Sequence, residues 1–146
     1  MTTMVTRTRR TAGPPTLVAL AAMLFAVLGS VLAAHHAFSS EFDAKKPVNL
    51  RGTVSKVEWV NPHAWIHIRV TRDKGKTEDW MIEGGTPNAL FRRGITRESL
   101  KAGVEIVVAG FQAKDGTRRA NGRDLMLADG RKLFLGSSGT GAPAEK

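Results

Sequence analysis

The sequence predicts an all-β fold with a short helical insert, a small OB-like five-stranded Greek-key barrel. Three observations predict it. Residues 48–135 divide into short apolar runs, alternating or β-branched, separated by Asn-Pro, Asp-Lys-Gly, Gly-Gly and Asp-Gly punctuation. A short helix-compatible stretch falls between the third and fourth of these runs, as an OB-type order requires. The first run switches parity partway, which a bulged, coiled first strand of a closing sheet would do.

Each element follows from its own residues. In Val48 to Trp59, the residues Val48, Leu50, Gly52 and Val54 recur at period two, and Val57 and Trp59 then take the opposite parity. A bulge near Ser55 or Lys56 would keep them all facing inward. Asn61-Pro62 turns the chain. Ala64, Ile66, Ile68 and Val70 then alternate with His63, Trp65, His67 and Arg69, the clearest strand in the sequence. Asp73 to Lys76 makes the next turn. Thr77 to Glu83 forms a third strand, with Asp79, Met81 and Glu83 opposed to Glu78, Trp80 and Ile82, and Gly84-Gly85 stops it.

Thr86 caps a helix with Pro87 at its first position, running through Asn88 to Arg93 and closed by Gly94. A further turn from Thr96 closes near Gly103. Val104 to Phe111 reads as a fourth strand, Lys114 to Gly116 as a hairpin loop, and Ala120 to Leu127 as a fifth strand. Asp129-Gly130 leads into a final arm at Lys132 to Leu135. Residues 136–146 are rich in Gly, Ser and Ala and are expected to form a disordered tail.

Residues 1–34 precede this domain and read as a secretory signal peptide. Arg7, Arg9 and Arg10 supply a positive start with no acidic residue, an apolar run follows from Leu17 to Leu32, and Ala33 and Ala34 end it. An uncleaved membrane anchor is the plainer alternative, set against by Gly29 and Ser30 within the run. Thr11-Ala12-Gly13 lacks the apolar residues expected after a twin-arginine pair, which favours general secretion. The expected location is periplasmic or secreted. Removing the three leader arginines takes the formal charge from +9 to +6, a weaker case for an anionic partner than the whole chain suggests. Export also argues against nucleic acid.

The chain has 146 residues, four His and no Cys. That length allows one ordinary domain. Without thiols there is no disulfide framework and no thiolate metal site, so any metal chemistry must use His, carboxylates or backbone nitrogen. Residues 35–47 lack periodicity and are expected to form an extended arm, pinned by Phe38 and Phe42. Cleavage after Ala33 would leave Ala34-His35-His36 at the terminus, where the amine, two backbone nitrogens and the His36 imidazole make a square-planar set. Cleavage after Ala34 would let the amine and imidazole of His35 chelate one ion, completed by a second imidazole. Tetragonal nitrogen ligation favours copper. The plainer reading is two polar residues on an arm.

His63 and His67 share a strand face about 13 Å apart at roughly 3.3 Å per residue, so they cannot both ligate one ion. His63, beside the Asn61-Pro62 turn, is better placed to meet the arm as a third ligand. Otherwise it orders the turn. The face formed by Trp65, His67 and Arg69 is a second candidate, offering a stacking platform and basic groups to an anionic envelope glycan, lipid or protein. Trp65 packing under Phe38 or Phe42 competes with that reading. Gly84-Gly85 ahead of a helix is weak evidence for an anion site, and a capped turn explains it. Arg92-Arg93 reads as a solvated face. No nucleophile elbow or spaced carboxylate pair marks an enzyme.

Four segments carry a resemblance: His35-His36-Ala37-Phe38, VSKVEWVNPHAWIHI at Val54 to Ile68, EGGTPNALFRRGITRESL at Glu83 to Leu100, and DGRKLF at Asp129 to Phe134. Together they resemble an uncharacterised family of small exported bacterial proteins, domain of unknown function family 6152. The resemblance implies an exported single-domain protein and brings no activity with it. The expectation is therefore a non-enzymatic binding module, with copper at His35, His36 and His63 as the sharpest form. The rivals are a module for an anionic partner and a structural accessory subunit of a membrane complex.

Overall fold

The computed structural model describes residues 38–136. The fold is mostly β-sheet, built from six strands: β1 (Phe42–Glu58), β2 (Trp65–Thr71), β3 (Thr77–Glu83), β4 (Glu105–Ala113), β5 (Arg119–Leu127) and β6 (Lys132–Phe134). A single turn of 3-10 helix at Asp73–Gly75 links β2 to β3, and the short helix α1 (Pro87–Arg92) lies between β3 and β4. Among the described residues no helix is long and apolar enough to cross a membrane.

The strands pair in the order β3-β2-β1-β4-β5-β6, all antiparallel, and β3 also pairs with β5 in parallel through Met81, Ile82 and Glu83. The pairings β1–β2, β2–β3, β3–β5, β5–β4 and β4–β1 thus return to their start. One long strand takes part in two of them. The last turns of β1 pair with β2, its middle pairs with β4, and Thr53 has partners on both sides.

The parity switch expected in the first strand is a bulge. Register shifts between Val54 and Lys56, so Ser55 is the extra residue. Leu50 and Val54 before it are buried, and Val57 and Trp59 after it pack against the same core. Gly52 sits where β1 crosses β2 closely, since a Cβ there would lie 2.8 Å from the Arg69 carbonyl oxygen. Along Ala64 and β2 the alternation holds: Ala64, Ile66, Ile68 and Val70 are buried, with Trp65 and His67 half-buried and Arg69 exposed on the opposite face, while the half-buried His63 lies in the turn before β2 and not on the strand. With Ile82, Leu90, Ile95, Ile106, Val108 and Leu125 they form one core. Each such fully buried aliphatic contributes about 1.5–3 kcal/mol.

Thr86 caps α1, its hydroxyl accepting from the Ala89 N–H at 3.3 Å, and Pro87 stands in the first turn. Leu90 and Ile95 fasten the segment to the core. Gly94 follows at φ 84°, the left-handed value that lets the chain leave the helix.

Three expectations need correction. Residues 38–47 are not a separate extended arm: residues 38–41 form a helical turn, and β1 already begins at Phe42, six residues before Val48. The apolar pattern starts late because Asp43 to Lys46 are solvated, while Phe42 and Pro47 are held by pairing with Ala113 and Phe111. Gly136, assigned to the tail, is buried; its N–H donates to the Arg123 carbonyl at 3.2 Å and its carbonyl accepts from Arg93 Nη1 at 2.5 Å. Arg93 is consequently not a free solvated cation, and its guanidinium also lies 4.8 Å from the Phe134 ring centre. The expected signal peptide, His35, His36 and residues 137–146 lie outside the described residues.

Candidate functional site

The outward face of the five strands β1 to β5 carries the residues of interest, and register fixes which of them are neighbours. Phe111, Asn121, Glu83, Trp65 and Glu58 lie side by side on successive strands, because each is the Cα partner of the next. Arg119, Met81, His67 and Lys56 form the adjoining row. Neighbours along a row are separated by about 4.8 Å, the strand spacing.

Glu83 is the residue that the sequence undervalued. Strict alternation places it outward with Asp79 and Met81, yet only 8% of its side chain is exposed. His63 Nδ1 makes an ion-pair contact with Glu83 Oε1. Asn121, itself 1% exposed, stands opposite Glu83 on the neighbouring strand. Burial raises the Glu83 carboxyl above the ordinary carboxylate value; His63, Asn121 and Arg119 oppose the shift, and Glu41 adds to it. A signal did exist: Glu83 ends a strand beside Gly84-Gly85, where no exposed turn follows, but reading it required knowing that β5 pairs there.

The N-terminal segment meets the sheet next to this group. Phe38 stacks on Phe42, with ring centres 5.9 Å apart, and meets Phe111 edge-on at 5.7 Å. Phe38, Phe42, Phe111 and Ala113 form a second small core. Lys114 ties down the helical turn, its N–H donating to the Glu41 carbonyl at 2.9 Å and its Nζ to the Ser39 carbonyl at 2.5 Å. Glu41 lies 3.6 Å from Arg119 Nη2. The two phenylalanines therefore pin the segment as expected, but on Phe111 of β4 and not on Trp65.

The remaining expected residues separate into different environments. His67 Nε2 lies 3.0 Å from Glu58 Oε1, at ion-pair distance but off the line of a directed hydrogen bond. Glu58 also takes Lys56 Nζ at 2.6 Å, and that contact, followed by His67, holds its carboxyl below the ordinary range. Arg69 Nε donates to Asp79 Oδ1 at 2.9 Å. Trp65 lies between Glu58 and Glu83 in its row, half-buried. His63 and His67 thus have separate carboxylate partners and do not converge. Among the described residues no three His, Asp or Glu side chains gather closely enough to hold a metal ion.

The glycine pair before α1 is not an anion cradle. The Gly84 N–H donates to the Ala64 carbonyl and the Gly85 N–H to the Leu135 carbonyl, each at 2.8 Å. Two larger grooves lie elsewhere: one of about 430 Å³ beside Asn49, Asp124 and Phe134, and one of about 400 Å³ beside Arg72, Glu78, Trp80 and Arg118. Neither includes His63 or Glu83. Outside the sheet, Trp59 stacks on the exposed Phe91 at 4.9 Å, with Arg97 over the indole at 5.4 Å.

A family model described as a family of unknown function, DUF6152, matches residues 23–122, well over half of the 146 residues. The match includes His35, His36, His63, Glu83 and Asn121 and stops before β6. No curated protein matches the chain.

Proposed function

The chain belongs to the DUF6152 family of unknown function, and we propose that it is an exported, periplasmic, non-enzymatic binding module that takes Cu(II) at its processed N-terminus. The scaffold is read as an OB-like five-stranded Greek-key barrel. That reading is supported by the circuit of pairings through β3–β5 and by α1 standing between β3 and β4.

In this proposal His35 and His36 are the primary ligands and His63 is the third. The observation that carries it is the anchoring of Phe38, two residues after His36, on the sheet face that also carries Glu83. Phe38 packs on Phe111, whose Cα partner is Asn121, whose own partner is Glu83. The influence of Glu41 on Glu83 is a second sign that the N-terminal turn lies against this corner. With no thiol in the chain, the donors are an amine, imidazoles and backbone nitrogen, the set that suits tetragonal Cu(II).

The rival, an anionic glycan, lipid or protein bound through Trp65, His67 and Arg69, draws less support. Arg69 is engaged by Asp79, and Glu58 accompanies both Lys56 and His67, so the charges on this face are largely matched. The deciding experiment combines an intact mass of the secreted protein, which fixes its first residue, with a calorimetric Cu(II) titration. Binding much tighter than that of a His35→Ala, His36→Ala variant is expected. Equal affinities would remove the proposal.

A further inference from the structure

We infer that the corner where Trp59 and Val60 meet α1 docks on an anionic lipid surface, with Val60 and Phe91 entering the boundary between headgroups and acyl chains and Arg92 and Arg97 held at the level of the phosphates. The inference does not depend on the copper reading. Among the described residues the large hydrophobic side chains left exposed are Val60 at 48%, Phe91 at 38% and Phe134 at 42%. All three adjoin one short segment. Phe91 lies in α1, Val60 follows the tryptophan that stacks on Phe91, and Phe134 lies under the guanidinium of Arg93, the residue that ends α1. Trp59 packs against the main core on its inner side, so its stack with Phe91 has a rigid backing.

The charge at this corner differs from that on the sheet. There the arginines face carboxylates: Arg51 meets Glu105 at 2.6 Å, Arg69 meets Asp79 at 2.9 Å and Arg72 meets Glu78 at 3.0 Å. Residues 84–104 instead carry Arg92, Arg93, Arg97 and Lys101 against the one acid Glu98, which lies 3.7 Å from Lys101. Arg97 lies over the Trp59 ring at 5.4 Å, and Arg93 donates to the Phe134 and Gly136 carbonyls. Among the described residues no carboxylate pairs with Arg92 or Arg97. Their charges are left for an anionic partner to match. The corner lies outside both larger grooves, the concave places where a small molecule would be enclosed. Tryptophan rings and arginines with apolar stems are the side chains that settle at the headgroup level of a bilayer. Apolar tips beside basic residues gain there from acyl burial and headgroup attraction together.

The test uses the secreted protein and vesicles of phosphatidylcholine with or without phosphatidylglycerol. Co-sedimentation with the phosphatidylglycerol vesicles is expected, weakening as salt screens it, and none with phosphatidylcholine alone. Arg92→Gln with Arg97→Gln should weaken binding about fivefold for each arginine, roughly 25-fold together. Arg51→Gln with Arg69→Gln removes the same charge from the sheet and should leave most of the affinity in place. Penetration is read with vesicles whose acyl chains are brominated. They should quench Trp59, one of three tryptophans, so quenching should vanish in Trp59→Phe, persist in Trp65→Phe and fall in Val60→Ser. No binding to the anionic vesicles would overturn the inference. So would equal losses in the two double variants, which would mean adsorption by net charge, or quenching that survives Trp59→Phe, which would put another face on the bilayer. Self-association of the lipid-free protein that Val60→Ser abolishes would assign the corner to a second copy of the chain in place of lipid.

Discussion

Asn121 stands directly across from Glu83 in the parallel pairing of β3 and β5, and its side chain favours the ionised form of that buried carboxyl. Asn121 is the most buried polar residue of the candidate site, and Asn121→Ala should remove what favours the ionised carboxyl. A hydrogen bond to a charged group contributes about 1.5–3 kcal/mol, so a loss of that order is expected in urea unfolding at neutral pH. In a Glu83→Gln background the same substitution should cost less, because the neutral amide needs the donor less. An equal cost in both backgrounds would show that Asn121 acts through packing alone.

Stability should also depend on pH through Glu83. Its carboxyl is raised above 4.5 by burial. A group that holds its proton more tightly when folded contributes stability below the unfolded value and loses it as pH rises through the folded one. Glu83→Gln cannot ionise, so its stability relative to wild type should climb as pH rises from 4.5 and level off above the raised value. Glu58, Glu78 and Glu105 are shifted the other way by Lys56, Trp80 and Arg51 respectively. Their contributions, lost as pH falls, are common to both proteins and cancel. Chemical denaturation of the pair across acid to neutral pH checks this; parallel curves would contradict it.

Much of the fold was legible because local chemistry and tertiary structure agree. Ile66, Ile68 and Val70 alternate as a half-buried strand should, Thr86-Pro87 and Gly94 bracket α1, and the parity switch in β1 marks the Ser55 bulge. The candidate site was less legible because it depends on pairing between distant segments. His63 is conspicuous by itself, but Glu83 reads as an exposed strand residue until β5 brings Asn121 beside it. Phe42 to Pro47 misled for a related reason: Asp43, Lys45 and Lys46 give no apolar period, and the strand there is held by pairing to β4.

Gly110 is the glycine on which this alignment depends. It follows the register shift at Ala109, and a Cβ there would lie 2.1 Å from the Asn121 carbonyl oxygen, a backbone atom that cannot step aside cheaply. Gly110→Ala should destabilise by about 1–3 kcal/mol, as overpacking does, and should also shift the amide signals of Asn121 and Glu83. Gly116→Ala is the control: at φ 77° with nothing within 4 Å of the added carbon, it should cost about 1–2 kcal/mol and leave those signals in place. Thermal unfolding with amide spectra separates the two.

The Trp59–Phe91 stack joins the end of β1 to α1 at 4.9 Å with an interplanar angle of 27°. Such pairs contribute about 0.5–1.5 kcal/mol beyond burial. A double-mutant cycle of Trp59→Ala and Phe91→Ala should return a coupling of that size. Additive losses would assign both residues to independent packing.

Copper affinity should distinguish His63, in the turn before β2, from the residues on the outward face of β2. Under the proposed ligand set, His63→Ala removes a donor and should weaken Cu(II) binding by at least the roughly tenfold that loss of an outer-shell partner costs. His67 lies on β2 four residues after His63, about 13 Å away at extended spacing, with Glu58 and not Glu83 as its partner. His67→Ala should therefore leave the affinity where it was. Trp65→Ala should do the same, since an indole between Glu58 and Glu83 in the row donates nothing to the metal. On the rival reading, binding to anionic vesicles or glycans would respond in the opposite order, falling with Trp65→Ala and indifferent to His63→Ala. Calorimetry on the three variants, each titrated with Cu(II) and with anionic vesicles, decides between the two faces. Copper binding that tracks Trp65 or His67 in place of His63 would move the site off the Glu83 corner.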